Sequence, residues 1–478
     1  MFGQPSLRRL SSRNSTAHLW WLNPCWPLAI MLLGTGVSAY IIPYADYVEN
    51  WKTPKYLGAG DLEYIFLCVA GFVLSACFIN VVSKRFTPSF TGNIKGNPRI
   101  PWPVLWFVFY ACFVLSVLAY AIWFAMSMAH GLSISDILSA MRNDQGAIYT
   151  IRDKTDTLPG VTTLTQLEMG VVLLGTVLGF KFGWKKHARQ LWVPLLIIFG
   201  LAFLRAHFRE ERTALLEIVI PLAILALGLA ETSRWRASWR WFLALLPLAA
   251  PVVLYVFFAA AEYSRSWVNF YQDQGDSSFL WFSFTRLAGY YVTALNNGAA
   301  YVQSIGHYPV PYYSLEWLWK FPVIKDVFSY QTISGADPSA DYEDILMQKL
   351  NPELNNPSGV FLVELDYGFI GGIVTWSILG IIAMFLYRSF LKGSLTGLLL
   401  YPFFYIGLLE SPRILYWSDT RTLPTWLMLF ALIGISAFTV VGDWRKRRSS
   451  HSIWEALLRA RQEVPGLAGY RRAVRRGL

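Results

Sequence analysis

The chain has 478 residues, 55% hydrophobic and 16% aromatic, with only 15% charged residues and a mean hydropathy of +0.39. Soluble domains carry about 25% charge, so a soluble enzyme with a single anchor is excluded; no period-two alternation over about ten residues marks a β-barrel either. The net charge of +11 is placed on one set of loops, which argues for membrane sidedness rather than nucleic acid.

In chain order, apolar runs near the ~20-residue length of a membrane span fall at 19–42, 62–83, 102–129, 166–182, 190–206, 213–230, 240–260, 359–387, 394–410 and 423–442. The expected fold is therefore an all-α polytopic membrane protein of about ten spans. A basic tail (1–18) precedes the membrane domain (19–442), and a second basic tail (443–478) follows it. Arg8, Arg9 and Arg13 precede a first run too long for a cleaved signal, so it reads as a signal anchor. With the N-terminus inside, the inner segments hold 26 Lys/Arg and four acids, against 15 and 26 on the outer side. That imbalance puts both termini in the cytoplasm and two sizeable loops, 130–165 and 261–358, outside.

Cys25, Cys68, Cys77 and Cys112 all lie in apolar runs without metal-ligand spacing, and are expected to be small buried hydrophobes rather than disulfide partners. Within loop 130–165 a short helix is expected after Ser133, and Thr163-Leu-Thr-Gln166 has the form of a capping box opening the fourth span. Residues 283–302 read as an amphipathic helix in the long loop, and Ile453 to Leu458 as a short interfacial helix in the tail. Asp337-Pro-Ser-Ala-Asp341-Tyr-Glu343-Asp344 is acidic, but it lacks the glycine and spacing of an EF-hand loop, and no metal is expected.

The unusual charges lie between the fifth and sixth spans, where Arg205, Arg209 and Arg212 are spaced to share one helix face. Charge at membrane depth is costly and marks a functional site. Together with Arg265, Arg286, Arg413 and Arg421 they make seven arginines on an otherwise acidic outer face. Planar guanidinium groups suit phosphate or diphosphate, and structural pairing with Glu210, Glu211, Glu217, Glu410 and Asp419 is the other reading. Trp317, Trp319 and the other aromatics of the long loop suit stacking against sugar rings, or equally an interfacial belt. Glu364 and Asp366, at the start of the eighth span, are candidate general bases. Walker, GxGxxG, HExxH and GxSxG motifs are absent.

An outer loop ending in Asn-Asn-Pro-Ser-Gly359 and running into Asp366-Tyr-Gly-Phe-Ile-Gly371 resembles the oligosaccharide repeat-unit polymerases (Wzy-type, O-antigen and related polysaccharides). Arg212-Thr-Ala-Leu-Leu, Thr285-Arg286, Leu315-Glu-Trp-Leu-Trp-Lys-Phe-Pro322 and Leu409-Glu-Ser-Pro-Arg413 follow the same order and sidedness. The resemblance implies a GT-C-like membrane glycosyltransferase that uses neither a cofactor nor a required metal. It would move a glycan from undecaprenyl diphosphate onto the non-reducing end of another lipid-linked repeat, at the periplasmic face of a bacterial inner membrane. Implied roles are catalytic for Arg212, Arg286, Arg413, Arg421, Asp366 and Glu364, and substrate-binding for Arg205, Arg209, Arg265, Trp317 and Trp319. Partners implied are the undecaprenyl-diphosphate-linked oligosaccharide, membrane lipid, and the chain-length regulator and flippase of such a pathway. Related O-antigen ligases carry a histidine where Pro357 stands here, which disfavours a ligase; ligase-like transfer and flipping of the lipid-linked glycan stay open as alternatives.

Overall fold

The computed structural model describes residues 17–82, 100–142, 144, 146–155, 160–208, 213–230, 235–272 and 278–436, without the side chains of residues 148, 264, 265, 322 and 323. Arg209, Arg212, the side chain of Arg265 and the stretch Ile453 to Leu458 lie outside the described residues. Every regular element described is a helix. The main ones are α1 (Cys25–Ile41), α2 (Tyr44–Trp51), α3 (Ala59–Val82), α4 (Trp102–Ala129), α5 (Val161–Phe182), α6 (Ala188–Phe208), α7 (Thr213–Leu229), α8 (Ala237–Glu262), α9 (Phe279–Ile305), α10 (Gly359–Leu391), α11 (Leu395–Glu410) and α12 (Thr420–Ser436).

Helices α3, α4, α5, α6, α8 and α10 are long and apolar enough to cross a membrane, and α1 with α2 makes a seventh if the bent pair is one span. The other three expected spans are the shorter apolar helices α7, α11 and α12. The 16 residues of α11 rise only about 24 Å, short of a ~30 Å hydrocarbon core, and nearly all of them are buried. This helix is apolar because it is an interior element. Helix α1 turns through 101° into α2 at Pro43, and Lys55 donates to the Tyr40 and Ile42 carbonyls that the bend leaves without helical partners (2.6 and 2.7 Å).

The central contact is α3 against α10. Glycine makes it possible: a Cβ at Gly380 would run into the Phe72 backbone, and Ser75 Oγ donates across the pair to Ser377 O at 2.7 Å. Small residues let helix backbones approach where no hydrophobic drive separates helix from lipid. Cys68 and Cys112 are buried as expected, but Cys77 is exposed and Cys25 half-exposed. Cys77 is exposed on α3 yet close to Cys25 of α1, so an apolar neighbourhood in sequence does not mean an internal one.

The helix after Ser133 forms, as Ile134–Met141, with Ser133 and Asp136 in a reciprocal capping box. The fourth span starts at Val161 instead of Thr163, because Gly160 takes a positive φ of 85° and turns the chain into the helix. The expected helix 283–302 is α9, opened by the Ser278 hydroxyl accepting from Trp281 N–H, and its stretch Val292–Tyr301 is wholly buried. The acids of 337–344 are used locally: Asp337 caps the helix Pro338–Lys349, and Asp341 accepts from Tyr308 at 2.9 Å.

Candidate functional site

The Asn-Asn-Pro-Ser-Gly stretch docks backbone to backbone on the turn at Arg413. Ser358 N–H donates to Arg413 O at 3.0 Å, and a Cβ on Gly359 would fall 2.7 Å from the Ile414 carbonyl carbon. Ser358 takes φ +62°, a conformation that side chains resist, and its hydroxyl is fully buried. From Ser358 to Asp366 every residue is buried, and Gly368 (φ 69°, ψ 177°) then breaks α10 into two pieces. The long loop absorbs the break. Tyr308 N–H donates to Leu365 O at 2.7 Å, and the Asp366 carboxylate accepts from the N–H groups of Tyr312 (2.8 Å), Tyr313 (2.9 Å) and Ser314 (2.5 Å).

Helix α9 pins the same stretch from the other side. Asn297 donates to Leu354 O (2.6 Å) and Asn356 O (3.3 Å). Asn296 accepts from Tyr56 N–H (2.6 Å) and Leu57 N–H (3.1 Å) and donates to Pro54 O (2.8 Å). Two adjacent asparagines inside a buried helical run thus stitch two irregular segments to the core. Without such bonds a buried amide would cost stability.

These contacts frame a cavity of about 290 Å³. Its lining is apolar at Leu216, Leu254, Phe257 and Phe258 (the floor) and polar at Thr213, Asn356, Arg413, Asp419 and Arg421, with Tyr290 and Tyr291 also on the wall. The guanidinium of Arg413 pairs with Glu410 (2.8 Å) and lies 5.7 Å from the ring centres of both Tyr290 and Tyr291. Burial works against its charge, and the Glu410 carboxylate together with Tyr291 and Tyr290 more than restores it, so its pKa stands above the usual arginine value. Arg421 donates to Thr213 Oγ1 at 2.8 Å and pairs with Asp419 at 3.2 Å. Asp419 also caps the turn Thr420–Thr422, and it is the one carboxylate among the described residues lining the cavity.

The structure therefore brings Arg413 and Arg421 together and separates them from the other described members of the predicted set. Thr213, which follows Arg212 in the chain, lies on the cavity wall. Arg286, one helical turn before Tyr290, does not line the cavity and bridges Glu262 (3.0 Å) and Glu353 (2.8 Å). Arg205 is buried behind α7, bonded to Thr165 and Gln166. Trp319 is spent inside the loop, its indole N–H on Pro311 O (2.9 Å) and its ring against Tyr330, while Trp317 is half-buried on the same turn. Asp366 is a strut for residues 312–314, and Glu364 faces Asp61 and Tyr64 of α3; neither lines the cavity.

Four residues important to this arrangement carry no signal of these roles: Asn296 and Asn297, Gln166, which reads only as part of a capping box, and Asp419, which reads only as an ion-pair partner. For the first three the available signal is an amide inside a run that is otherwise apolar or small. No protein-family model, no curated protein and no solved structure matches this chain.

Proposed function

We propose that this chain is a multi-pass membrane glycosyltransferase that polymerises oligosaccharide repeat units carried on undecaprenyl diphosphate, working at the periplasmic face of a bacterial inner membrane. The observation that supports it best is the cavity itself: two guanidinium groups, Arg413 and Arg421, over an apolar floor and beside two tyrosines. A lipid diphosphate needs those three surfaces in that order, a cationic clamp for the phosphates, an apolar bed for the first isoprenes and a flat aromatic edge for the sugar.

In this reading the acceptor hydroxyl oxygen bonds to the anomeric carbon as the bond from that carbon to the diphosphate oxygen breaks. The electron pair leaves with the diphosphate, whose growing charge Arg413 and Arg421 stabilise. Asp419, held at the cavity edge, receives the hydroxyl proton. The aromatic loop carries the glycan.

Deleting the gene and sizing the surface polysaccharide tests this. A polymerase defect leaves single repeats on their acceptor, a ligase defect leaves unattached polymer, and a flippase defect traps repeats on the inner face. Normal chain length refutes the proposal. The second reading, a carrier for the lipid-linked glycan, is favoured by the break in α10 at Gly368 next to buried Glu364, since interrupted helices with ionisable groups are a transporter device.

A further inference from the structure

We infer that Glu217, buried under the cavity and not part of its lining, is a positioning residue for the Arg421 guanidinium; this rests on the reading of the cavity as a diphosphate site. Glu217 is 1% exposed and lies just over one turn into α7. One carboxylate oxygen is 4.0 Å from Arg421 Nη1, and Tyr416 bonds to the same carboxylate. Gln166 satisfies its two neighbours with its amide nitrogen toward Glu217, donating to Oε2 at 2.9 Å. Its oxygen then accepts from Arg205 Nη1 and Nη2 at 2.9 and 3.1 Å. The result is a chain of alternating partners, Arg205, Gln166, Glu217, Arg421, running from the buried face of α6 to the cavity edge.

Arg421 Nη1 donates to Thr213 Oγ1 at 2.8 Å, and two carboxylates flank the same guanidinium. Asp419 grips Nε at the cavity surface, and Glu217 stands behind Nη1. An unconstrained arginine samples many rotamers, and a clamp acts at full strength only if its donors are already aimed where charge develops. Arg205 belongs to this device as its far anchor, which accounts for a buried arginine that never reaches the cavity.

The sign of one substitution separates positioning from simple charge. Glu217→Gln removes a negative charge near the clamp, so field effects alone would tighten anion binding. If Glu217 aims Arg421, the same change weakens it. The full-length protein in detergent is titrated with farnesyl diphosphate, comparing wild type with Glu217→Gln, Gln166→Met and Arg421→Ala. Expected are an affinity loss of about ten-fold for Glu217→Gln and about three-fold for Gln166→Met, the size of one weakened charge-assisted contact. In turnover assays kcat should fall more than KM rises, because the leaving group gains charge toward the transition state.

Gln166→Met leaves the carboxylate in place and carries the test if Glu217→Gln does not fold. Affinity equal to or above wild type in both variants overturns the inference, even if their thermal midpoints drop. A wild-type protein that does not bind farnesyl diphosphate overturns the cavity assignment, and the inference with it. Binding lost in Arg421→Ala but intact in Glu217→Gln and Gln166→Met overturns the inference alone.

Discussion

Replacing Gly359 by alanine tests whether the turn at Arg413 is held by the segment that docks on it. The added Cβ would lie 2.7 Å from the Ile414 carbonyl carbon and 2.9 Å from Leu415 N, with the Ile414 oxygen closer still. Ordinary contact begins at 3.4 Å, so the two segments must part by at least about 0.7 Å. All of these obstacles are backbone atoms, so no side chain can swing aside. The turn itself must move, and it carries Arg413 and Ile414, both on the cavity wall. Overpacking of this kind costs about 1–3 kcal/mol, and a displacement near 1 Å at a reacting centre costs up to about 100-fold in rate. The expected result is a protein that still accumulates, with a lowered thermal midpoint in detergent and polymer production cut by at least about ten-fold. Gly200→Ala is the control, since a Cβ there meets nothing within 4 Å. Unchanged chain length and unchanged midpoint in Gly359→Ala would refute the backbone docking as the device that sets Arg413.

Arg413→Ala and Arg421→Ala should each cut polymerisation by about 100-fold or more in a membrane assay with lipid-linked repeats, the size of losing one preorganised donor. Arg413→Lys should not rescue, because an ammonium cannot reproduce a planar contact with both tyrosines; rescue would show that charge alone suffices. Arg286→Ala should behave differently. It strips a fully buried Glu262 of its guanidinium at a cost of about 3 kcal/mol, so the protein level should fall, measured by immunoblot, before any effect on the cavity is seen. Normal amounts of an inactive Arg286→Ala protein would return Arg286 to the catalytic group. Asp366→Asn keeps one acceptor oxygen but faces a backbone N–H with an amide NH₂, and should loosen residues 312–314 by about 1–3 kcal/mol, read as faster proteolysis of the long loop. Inactivity with an unaltered cleavage pattern would instead make Asp366 the base.

Helix class and the positions of the apolar runs were legible because twenty-residue hydrophobic stretches have few other meanings. Each of the ten expected spans overlaps an apolar helix, although α7, α11 and the described part of α12 are shorter than a span requires. Hydropathy reports burial in something apolar and cannot say whether that is lipid or protein, which is why α11 and Cys77 were misjudged in opposite directions. The break in α10 was half legible. Asp366-Tyr-Gly368 stood out as a motif, but the loop N–H groups that Asp366 holds come from residues more than fifty positions upstream. No local pattern encodes such a contact. Asn296 and Asn297 were hidden for the same reason: their partners are backbone groups of distant loops.

The arginines illustrate what sidedness can and cannot decide. All seven were grouped by an electrostatic anomaly, and an anomaly in charge has two physical resolutions, a ligand or a buried countercharge. The structure resolves Arg286 by countercharge: it sits between two carboxylates, one of them fully buried, and aromatic rings cover it. Arg205 is resolved through Gln166, which passes its charge on to Glu217. Arg413 and Arg421 are also paired, with buried Glu410 and with Asp419, but both guanidinium groups line a partly apolar cavity. On the proposed function, Asp419 on the cavity wall holds Arg421 in place until the more highly charged diphosphate arrives. What distinguishes the clamp from the struts is therefore not the absence of a partner but the space in front of it.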